Sequence, residues 1–198
     1  MRKKLTVISF CIFSVLFMSS CSANHTKDVY FIHAVSIVPK DDGIYFYAIA
    51  QKQSKKQDEK YFVASGHGKN LKEATEKISD KYSECYFATN EIYILPSYID
   101  KDFFKELVHI CENPFLPSSS RVVLSEEDDT KELLESIENE DELKKLLKET
   151  SEHNVSFTHF LGCSMSDTKQ TELCVIRRDS DGKIEVSHLE LLQPSTQN

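Results

Sequence analysis

The sequence predicts an α+β fold, a single domain in which an antiparallel or mixed sheet packs against several helices. Runs of β-branched and aromatic residues, such as VYFIHAVSIV at 29–38 and IYFYAIAQ at 44–51, are typical of strands. Other stretches place leucines three or four residues apart, which is the spacing of an amphipathic helix. Because strands and helices follow one another without a regular strand–helix–strand repeat, the α+β class fits better than a doubly wound α/β class.

The predicted elements begin with a β-hairpin. Its strands at 29–38 and 44–51 are joined by the turn residues PKDDG at 39–43. A charged loop at 51–59 leads to a third strand at 60–65, and the segment GHGK at 66–69 is predicted to turn the chain into a helix. Asn70 is the expected N-cap, with Glu73 completing a capping box. The helix is expected to pack on the sheet through Leu71, Ala74, Ile78 and Tyr82.

Further elements follow in mixed order. Short strands are expected at 85–88 and 91–95, and Asp100 is expected to cap a helix that ends before Asn113 and Pro114. A buried strand at 121–124, leucine-rich helices after the acidic run at 126–129 and a short helix after Asn154 come next. A hairpin of 172–178 and 183–192 closes the domain. The predicted apolar face of the helix after Asp100 consists of Phe103, Phe104, Leu107, Val108 and Cys111.

The first twenty-one residues have the composition of a lipoprotein signal peptide. Three basic residues at 2–4 precede an apolar run at 5–18 that is shorter than the roughly 20 residues needed to span a bilayer. Ser19 and Ser20 then precede Cys21, which favours cleavage before the cysteine. We expect residues 1–20 to be removed and Cys21 to carry a diacylglycerol anchor with fatty acids such as palmitate, because two acyl chains suffice for stable attachment. The alternatives are an ordinary secretory signal with an incidental cysteine and an N-terminal membrane anchor.

Charge and cysteine content narrow the possible functions. The chain has 24 basic and 32 acidic residues, and loss of residues 1–20 would leave 21 basic ones and a net charge of −11, so a nucleic-acid partner is not expected. Apart from Cys11 and Cys21, the cysteines contain no CxxC pair, and no histidine spacing indicates a metal site. The remaining cysteines are Cys85, Cys111, Cys163 and Cys174. They are either free and buried or joined in up to two disulfides, and Cys163 and Cys174 are the most plausible local pair.

The sequence contains no convincing catalytic motif. Gly66, Gly68 and Lys69 lie between a strand and a helix, where backbone amides can bind a phosphate. A P-loop, however, needs four residues between its glycines and a Ser or Thr after the lysine, whereas one residue separates these glycines and Asn70 follows. A tight structural turn is therefore the preferred interpretation. Neither Gly-x-Ser-x-Gly nor HExxH occurs, so no enzyme, cofactor or metal site is predicted.

These elements, taken in order, resemble a known family. The stretch at 61–99, with its Ser-Gly-x-Gly-Lys segment, a helix with a Leu-x-x-Ala core and the strand IYIL at 92–95, resembles the N-terminal domain of the Ger(x)C family. The hairpin before it and the helix, loop and strand after it are similar to the same family, so the resemblance covers roughly residues 21–192. We expect residues 1–20 to be the signal peptide, 21–28 a lipidated spacer and 29–198 the Ger(x)C N-terminal-like domain.

The resemblance implies a function outside catalysis. Ger(x)C proteins are lipoprotein C subunits of spore germinant receptors, so the chain is expected to be a non-enzymatic accessory subunit in spore germination. It would be anchored to the extracytoplasmic face of the cell membrane, the spore inner membrane in a sporulating cell, beside integral membrane receptor-like subunits. Gly66, Gly68 and Lys69 are weak candidates for partner contact.

Two departures from the family and one alternative function stand beside this expectation. Family members are usually about twice this long and have a C-terminal α+β domain, and His67 stands where an acid is common. The alternative is an extracytoplasmic surface lipoprotein that binds a small molecule in a pocket of its own. An exported hydrolase with dispersed carboxylates is a third option.

Overall fold

The computed structural model describes residues 28–53, 61–82, 84–127, 130–137, 139–152, 154–165, 171–180 and 182–191. The predicted signal peptide and Cys21 lie outside the described residues. The strands are β1 (Tyr30–Lys40), β2 (Gly43–Lys52), β3 (Tyr61–Gly68), β4 (Cys85–Tyr86), β5 (Ile92–Pro96), β6 (Arg121–Ser125), β7 (Thr171–Arg178) and β8 (Ile184–Leu191). The helices are α1 (Leu71–Lys81), α2 (Lys101–Glu112), α3 (Thr130–Glu135), α4 (Glu140–Glu149) and α5 (Phe157–Ser164), with a 3₁₀ turn at Phe87–Thr89.

One mixed sheet organises the domain, in the order β3-β2-β1-β5-β6-β7-β8, with the short β4 also paired to β1. Strands β1, β5, β6 and β7 are parallel neighbours. Antiparallel pairs add β2 and β3 on one side and β8 on the other. We call the end of the sheet where β1, β3, β5, β6 and β7 begin the amino end, and the end where they finish the carboxyl end. The mixed sheet with packed helices confirms the predicted α+β class.

Helices cover both faces of this sheet and create two cores. On one face, Leu71 of α1, Leu107 of α2 and Phe157 of α5 belong to one buried cluster. On the other face, Leu134 of α3 and Leu146 of α4 belong to the second. Because β1 is buried on both sides, its side chains are apolar almost without interruption, as expected for a strand covered on two faces.

The predicted first hairpin is present, with longer strands and a tighter turn. Lys40 pairs with Gly43, so only Asp41 and Asp42 lie between the strands. Gly43 has a φ of +135°, a conformation that L side chains rarely adopt. The five-residue turn expected at 39–43 is therefore two residues long, because Pro39 and Lys40 remain paired in β1.

The prediction for β3 was wrong at its end. The third strand was expected to stop at residue 65, but it continues to Gly68. Phe46 pairs with Gly66, Tyr45 with His67, and Ile44 with Gly68, so β2 holds the segment in extended form. Pairing with a neighbouring strand outweighs the turn preference of two nearby glycines.

The apolar face of α2 also differs from the prediction. Phe103, Leu107 and Ile110 are buried, whereas Cys111 is exposed. The helix contacts the sheet along a narrow stripe at positions i, i+4 and i+7, which leaves position i+8 on the solvent side. The strand expected at 85–88 is likewise shorter, because the chain enters the 3₁₀ turn after Tyr86.

The cysteines in the described residues are all free. Cys174 lies in the core shared with α3 and α4, whereas Cys163 is on α5, which packs on the opposite face of the sheet. The sheet thus separates the two residues that the sequence suggested as a local pair. Over the same described residues, no helix is both long enough and apolar enough to span a bilayer.

Candidate functional site

The segment that the sequence singled out lies at the carboxyl end of the sheet. Gly66 and Gly68 point from β3 toward α1, and a Cβ atom on them would lie 2.0 Å from the Ala74 carbonyl oxygen and 2.4 Å from the Glu73 Cβ, respectively. A Cβ on Gly43 of the adjacent turn would lie 2.2 Å from the Gly68 carbonyl oxygen. These three glycines therefore let the first hairpin, β3 and α1 approach at backbone distance.

The backbone amides that follow Gly68 already have acceptors. Glu73 N donates to Asn70 Oδ1 at 2.9 Å, so Asn70 is the N-cap, as predicted. Lys69 N donates to Glu73 Oε2 at 2.9 Å, so the Glu73 side chain binds the amide before the N-cap and not the Asn70 amide that a capping box uses. Leu71 N donates to Glu106 Oε2 of α2 at 3.0 Å. Protein carboxylates thus occupy the place that an anion takes in a phosphate-binding loop, and they repel a second negative charge. The geometry agrees with the preferred structural interpretation of this segment.

An aromatic and charged cluster lies next to this segment. His67 stacks on Tyr45 with ring centroids 4.3 Å apart, and its Nε2 lies 3.6 Å from Asp42 Oδ2. Tyr45 donates its hydroxyl to the same carboxylate at 2.9 Å, and Lys40 Nζ lies 4.7 Å from the Tyr45 ring centroid. These four residues were not predicted to form a group. Strand alternation across an antiparallel pair was the signal that could have found them.

Lys69 borders an open depression of about 440 Å³ between the first hairpin turn and the start of α2. Five of the eleven residues that line the depression are acidic, among them Asp41, Asp100 and Asp102. Asp100 caps α2, as predicted, by accepting hydrogen bonds from the amides of Asp102 and Phe103. The exposed lysine ammonium is therefore the part of the predicted segment that remains accessible to a partner, and partner contact through Lys69 stays a prediction.

A larger groove of about 730 Å³ runs between α1 and α2. Its apolar part includes Leu71, Tyr82, Phe87 and Leu116, and its rim carries Glu76, Glu84, Glu106 and Glu112. Cys85 also lines it, and burial raises the pKa of this thiol to about 11, so the neutral form predominates at neutral pH. The groove arises from long-range packing of two helices, and local sequence motifs contain no signal for it.

In the part of the chain that the structure describes, no three His, Cys, Asp or Glu side chains come together in a way that could hold a metal ion. Titratable groups with perturbed environments are mostly surface ion pairs. Arg178, for example, lies 3.5 Å from Glu127 and 3.0 Å from Glu132, and hydrogen bonds to these two carboxylates raise the pKa of its guanidinium. Such pairs hold β7 against the segment that leads to α3.

Comparison with known protein families identifies the family of this chain. Residues 22–170 match the family described as the spore germination protein N-terminal domain. The chain belongs to this family. The match confirms the resemblance to the Ger(x)C N-terminal domain. No significant match is found among curated proteins or among solved structures.

Both ends of the match to the spore germination protein N-terminal domain fall outside the described strands and helices. The match begins at residue 22, directly after Cys21, and ends at residue 170, directly before β7. The closing hairpin of β7 and β8 therefore lies beyond the matched residues, although β7 pairs with β6 in the same sheet. The sequence resemblance had extended the likeness to about residue 192.

Proposed function

We propose that this spore germination family member is a non-enzymatic accessory subunit of a germinant-receptor-like complex, held to the membrane by acylated Cys21. The observation that carries the proposal is the family match to residues 22–170, which starts at the first residue after the predicted lipidation site. The match leaves residues 1–21 outside the family domain, and the proposed cleavage before Cys21 would leave the matched residues intact. Integral membrane receptor-like subunits are the proposed partners.

The proposed mechanism is tethering followed by docking. An anchor on Cys21 confines the domain to the membrane surface and raises its effective concentration toward a membrane partner. The domain itself contributes a rigid surface, because its sheet is covered by helices on both faces. The exposed Lys69 beside the carboxylate-lined depression is one proposed contact point.

The anchor is tested by changing Cys21 in the full chain. Cys21→Ala should abolish fatty-acid labelling and leave the precursor uncleaved or release the protein from the membrane fraction. Cys111→Ala is the matched control, since Cys111 is an exposed free thiol that should not affect labelling. Continued labelling of the Cys21→Ala protein would refute the anchor assignment.

The partner proposal needs a separate experiment. Affinity capture of the full chain from detergent-solubilised spore membranes should recover a multi-span membrane protein, and Lys69→Glu should reduce that recovery. Lys72→Glu, which reverses an exposed lysine three residues further on, in the first turn of α1, is the matched control. Capture of no integral membrane protein from developing spores would contradict the accessory-subunit proposal.

A lipoprotein that binds a small molecule is the second candidate function. The groove of about 730 Å³ between α1 and α2 favours it, because the groove combines an apolar floor with several carboxylates. The chemistry suits a small ligand with an apolar body and a cationic group. A screen of amine-containing metabolites by thermal shift, repeated with Glu106→Gln, distinguishes this candidate from the first, because only groove binding predicts a shift that the substitution reduces.

A further inference from the structure

Aromatic side chains collect at the amino end of the sheet. Tyr30 packs edge-on against Phe62 and Tyr82, with ring centroids 5.7 Å and 5.3 Å apart, respectively. The rings of Phe31 and Tyr86 also pack together, with centroids 5.8 Å apart. We call these five residues, together with Phe115, the aromatic patch.

Strand register fixes the position of the patch. Tyr30 pairs with Lys52 at the end of β2 and with Cys85 in β4, and Tyr61, which precedes Phe62, pairs with Gln51. Phe115 belongs to the loop between α2 and the start of β6, and it lines the same groove as Tyr82. The patch therefore lies at one end of the domain, where Phe62 and Tyr82 also pack against the edge of the core beneath α1.

The patch is partly open to solvent. Among the described residues, four large apolar side chains are exposed, and two of them, Phe115 at 73 % and Tyr86 at 49 %, belong to the patch. Tyr98, at 78 %, follows β5 at the opposite end of the sheet, and Met165 follows α5. Tyr86 contacts Phe31, whereas Phe115 lines the groove beside Tyr82, so the two exposed rings lie on opposite faces of the same end of the sheet. Large apolar side chains left exposed at one end of a domain commonly mark an interaction surface.

The chain that leads to Cys21 leaves the domain from this same end. Asp28 and Val29 directly precede β1, and seven residues from Cys21 to Asp28 span at most about 25 Å when fully extended. The 11 residues of β1 carry the chain about 33 Å further, to the carboxyl end. An anchor on Cys21 therefore holds the amino end, with its aromatic patch, within a short distance of the bilayer.

Charges of both signs flank the patch. Lys52 pairs with Asp28 at 2.6 Å, Lys81 lies over the Tyr82 ring at 5.3 Å from its centroid, and Glu84 and Glu112 line the groove beside Phe115. A surface without a basic excess has little electrostatic attraction to anionic lipid. Tyrosine rings, in contrast, favour the interface between lipid headgroups and acyl chains, where the ring is partly desolvated and the hydroxyl stays hydrated.

We infer that the aromatic patch rests on the bilayer surface and thereby sets the orientation of the domain. The inference depends on the proposed lipid anchor at Cys21. The patch contacts the lipid headgroup region, and Tyr86 and Phe115 are the side chains that enter it. The carboxyl end, including Lys69 and the first hairpin turn, then faces away from the membrane, where the extracytoplasmic part of a partner could reach it.

The absence of tryptophan from the sequence makes a clean test possible. Tyr86→Trp and Phe115→Trp each give the full, lipidated chain a single tryptophan at the patch, and Tyr98→Trp is the matched control at the opposite end. Each variant is reconstituted into vesicles of phosphatidylethanolamine and phosphatidylglycerol, with or without bromine on the acyl chains. We expect brominated lipid to reduce the fluorescence of the two patch variants about twofold and to leave the Tyr98→Trp variant unchanged.

Vesicle flotation separates this inference from the anchor itself. A protein that does not float with vesicles contradicts the anchor at Cys21. A protein that floats but shows no quenching at Tyr86→Trp or Phe115→Trp retains the anchor and refutes the bilayer contact, which leaves the patch as a surface for a membrane protein. Equal quenching in the Tyr98→Trp variant also refutes the orientation. Quenching that persists when NaCl is raised from about 0.1 M to about 1 M supports an aromatic contact over an electrostatic one.

Discussion

The two ends of the sheet differ in how their residues are used. At the carboxyl end, glycines bring backbones together, and the amides after Gly68 bind carboxylates of the same domain. At the amino end, aromatic rings gather, and two of them, Tyr86 and Phe115, are exposed. A motif with small residues and a lysine stands out in a sequence, but here its glycines serve packing. The amino end, which has no such motif, carries two of the four large apolar side chains that are exposed among the described residues.

The largest effect is expected at Gly66. Gly66→Ala places a methyl group 2.0 Å from the Ala74 carbonyl oxygen, so β3 and α1 must separate, at a cost of about 3 kcal/mol in the free energy of unfolding. Gly162→Ala is the control, because a Cβ there meets nothing within 4 Å and alanine favours the α5 helix by about 1 kcal/mol. Urea denaturation measures both. If Gly66→Ala reduces the free energy of unfolding by no more than an ordinary surface substitution does, the close packing of the carboxyl end is contradicted.

A smaller effect is expected at Glu106, which joins α2 to the start of α1. Glu106→Ala removes the acceptor of the Leu71 amide and should reduce the free energy of unfolding by about 1–2 kcal/mol. Glu112→Ala, on the same helix, removes only an exposed contact with His109 and should change it by less than about 0.5 kcal/mol. If the two variants lose the same free energy of unfolding, the hydrogen bond from the Leu71 amide to Glu106 does not contribute to stability.

A pH effect is expected at the amino end. Burial raises the pKa of Cys85 to about 11, so the folded state holds this proton more tightly than the unfolded state does. The resulting stabilisation is complete below the ordinary thiol pKa of about 8.5 and disappears as the pH rises through about 11. Cys85→Ala should therefore flatten part of the alkaline decline in stability. Denaturation curves of both proteins over this range measure the difference, and parallel declines would contradict the raised pKa.

The smallest stability effect is expected at Phe115. Phe115→Ser removes an exposed ring and should change the free energy of unfolding by less than about 0.5 kcal/mol, the same as Tyr98→Ser at the opposite end. A loss as large as that at Glu106 would mean that the ring is part of the core. A neutral result, together with reduced contact with vesicles, would sharpen the distinction between a packing end and a contact end.

Local patterns predicted a large part of the fold. Both hairpins, the caps at Asn70 and Asp100, and the leucines of α3 and α4 were found from short-range signals, because turn residues, capping boxes and helical periodicity act within a few residues. The order of elements was also sufficient for recognition of the Ger(x)C N-terminal domain, which the family match confirms. The roles of Cys21 and Lys69 remain predictions.

The errors share a physical origin. β3 runs through Gly68 because β2 supplies hydrogen bonds along its whole length, and Ile110 replaces Cys111 in the core because the sheet contacts only a narrow stripe of α2. Sequence periodicity indicates which residues can share a helix face, but the angle at which the helix meets its neighbour decides which of them are buried.

Short-range patterns were sufficient to identify the fold class, the family and most of the element boundaries. Long-range packing set which helices cover each face of the sheet, put Cys163 and Cys174 on opposite sides of it, and brought aromatic residues from β1, β3, β4, the end of α1 and a distant loop to one end. Hydrogen bonds and apolar contacts between residues far apart in the chain set these relations, and such contacts leave no periodic trace in the local sequence.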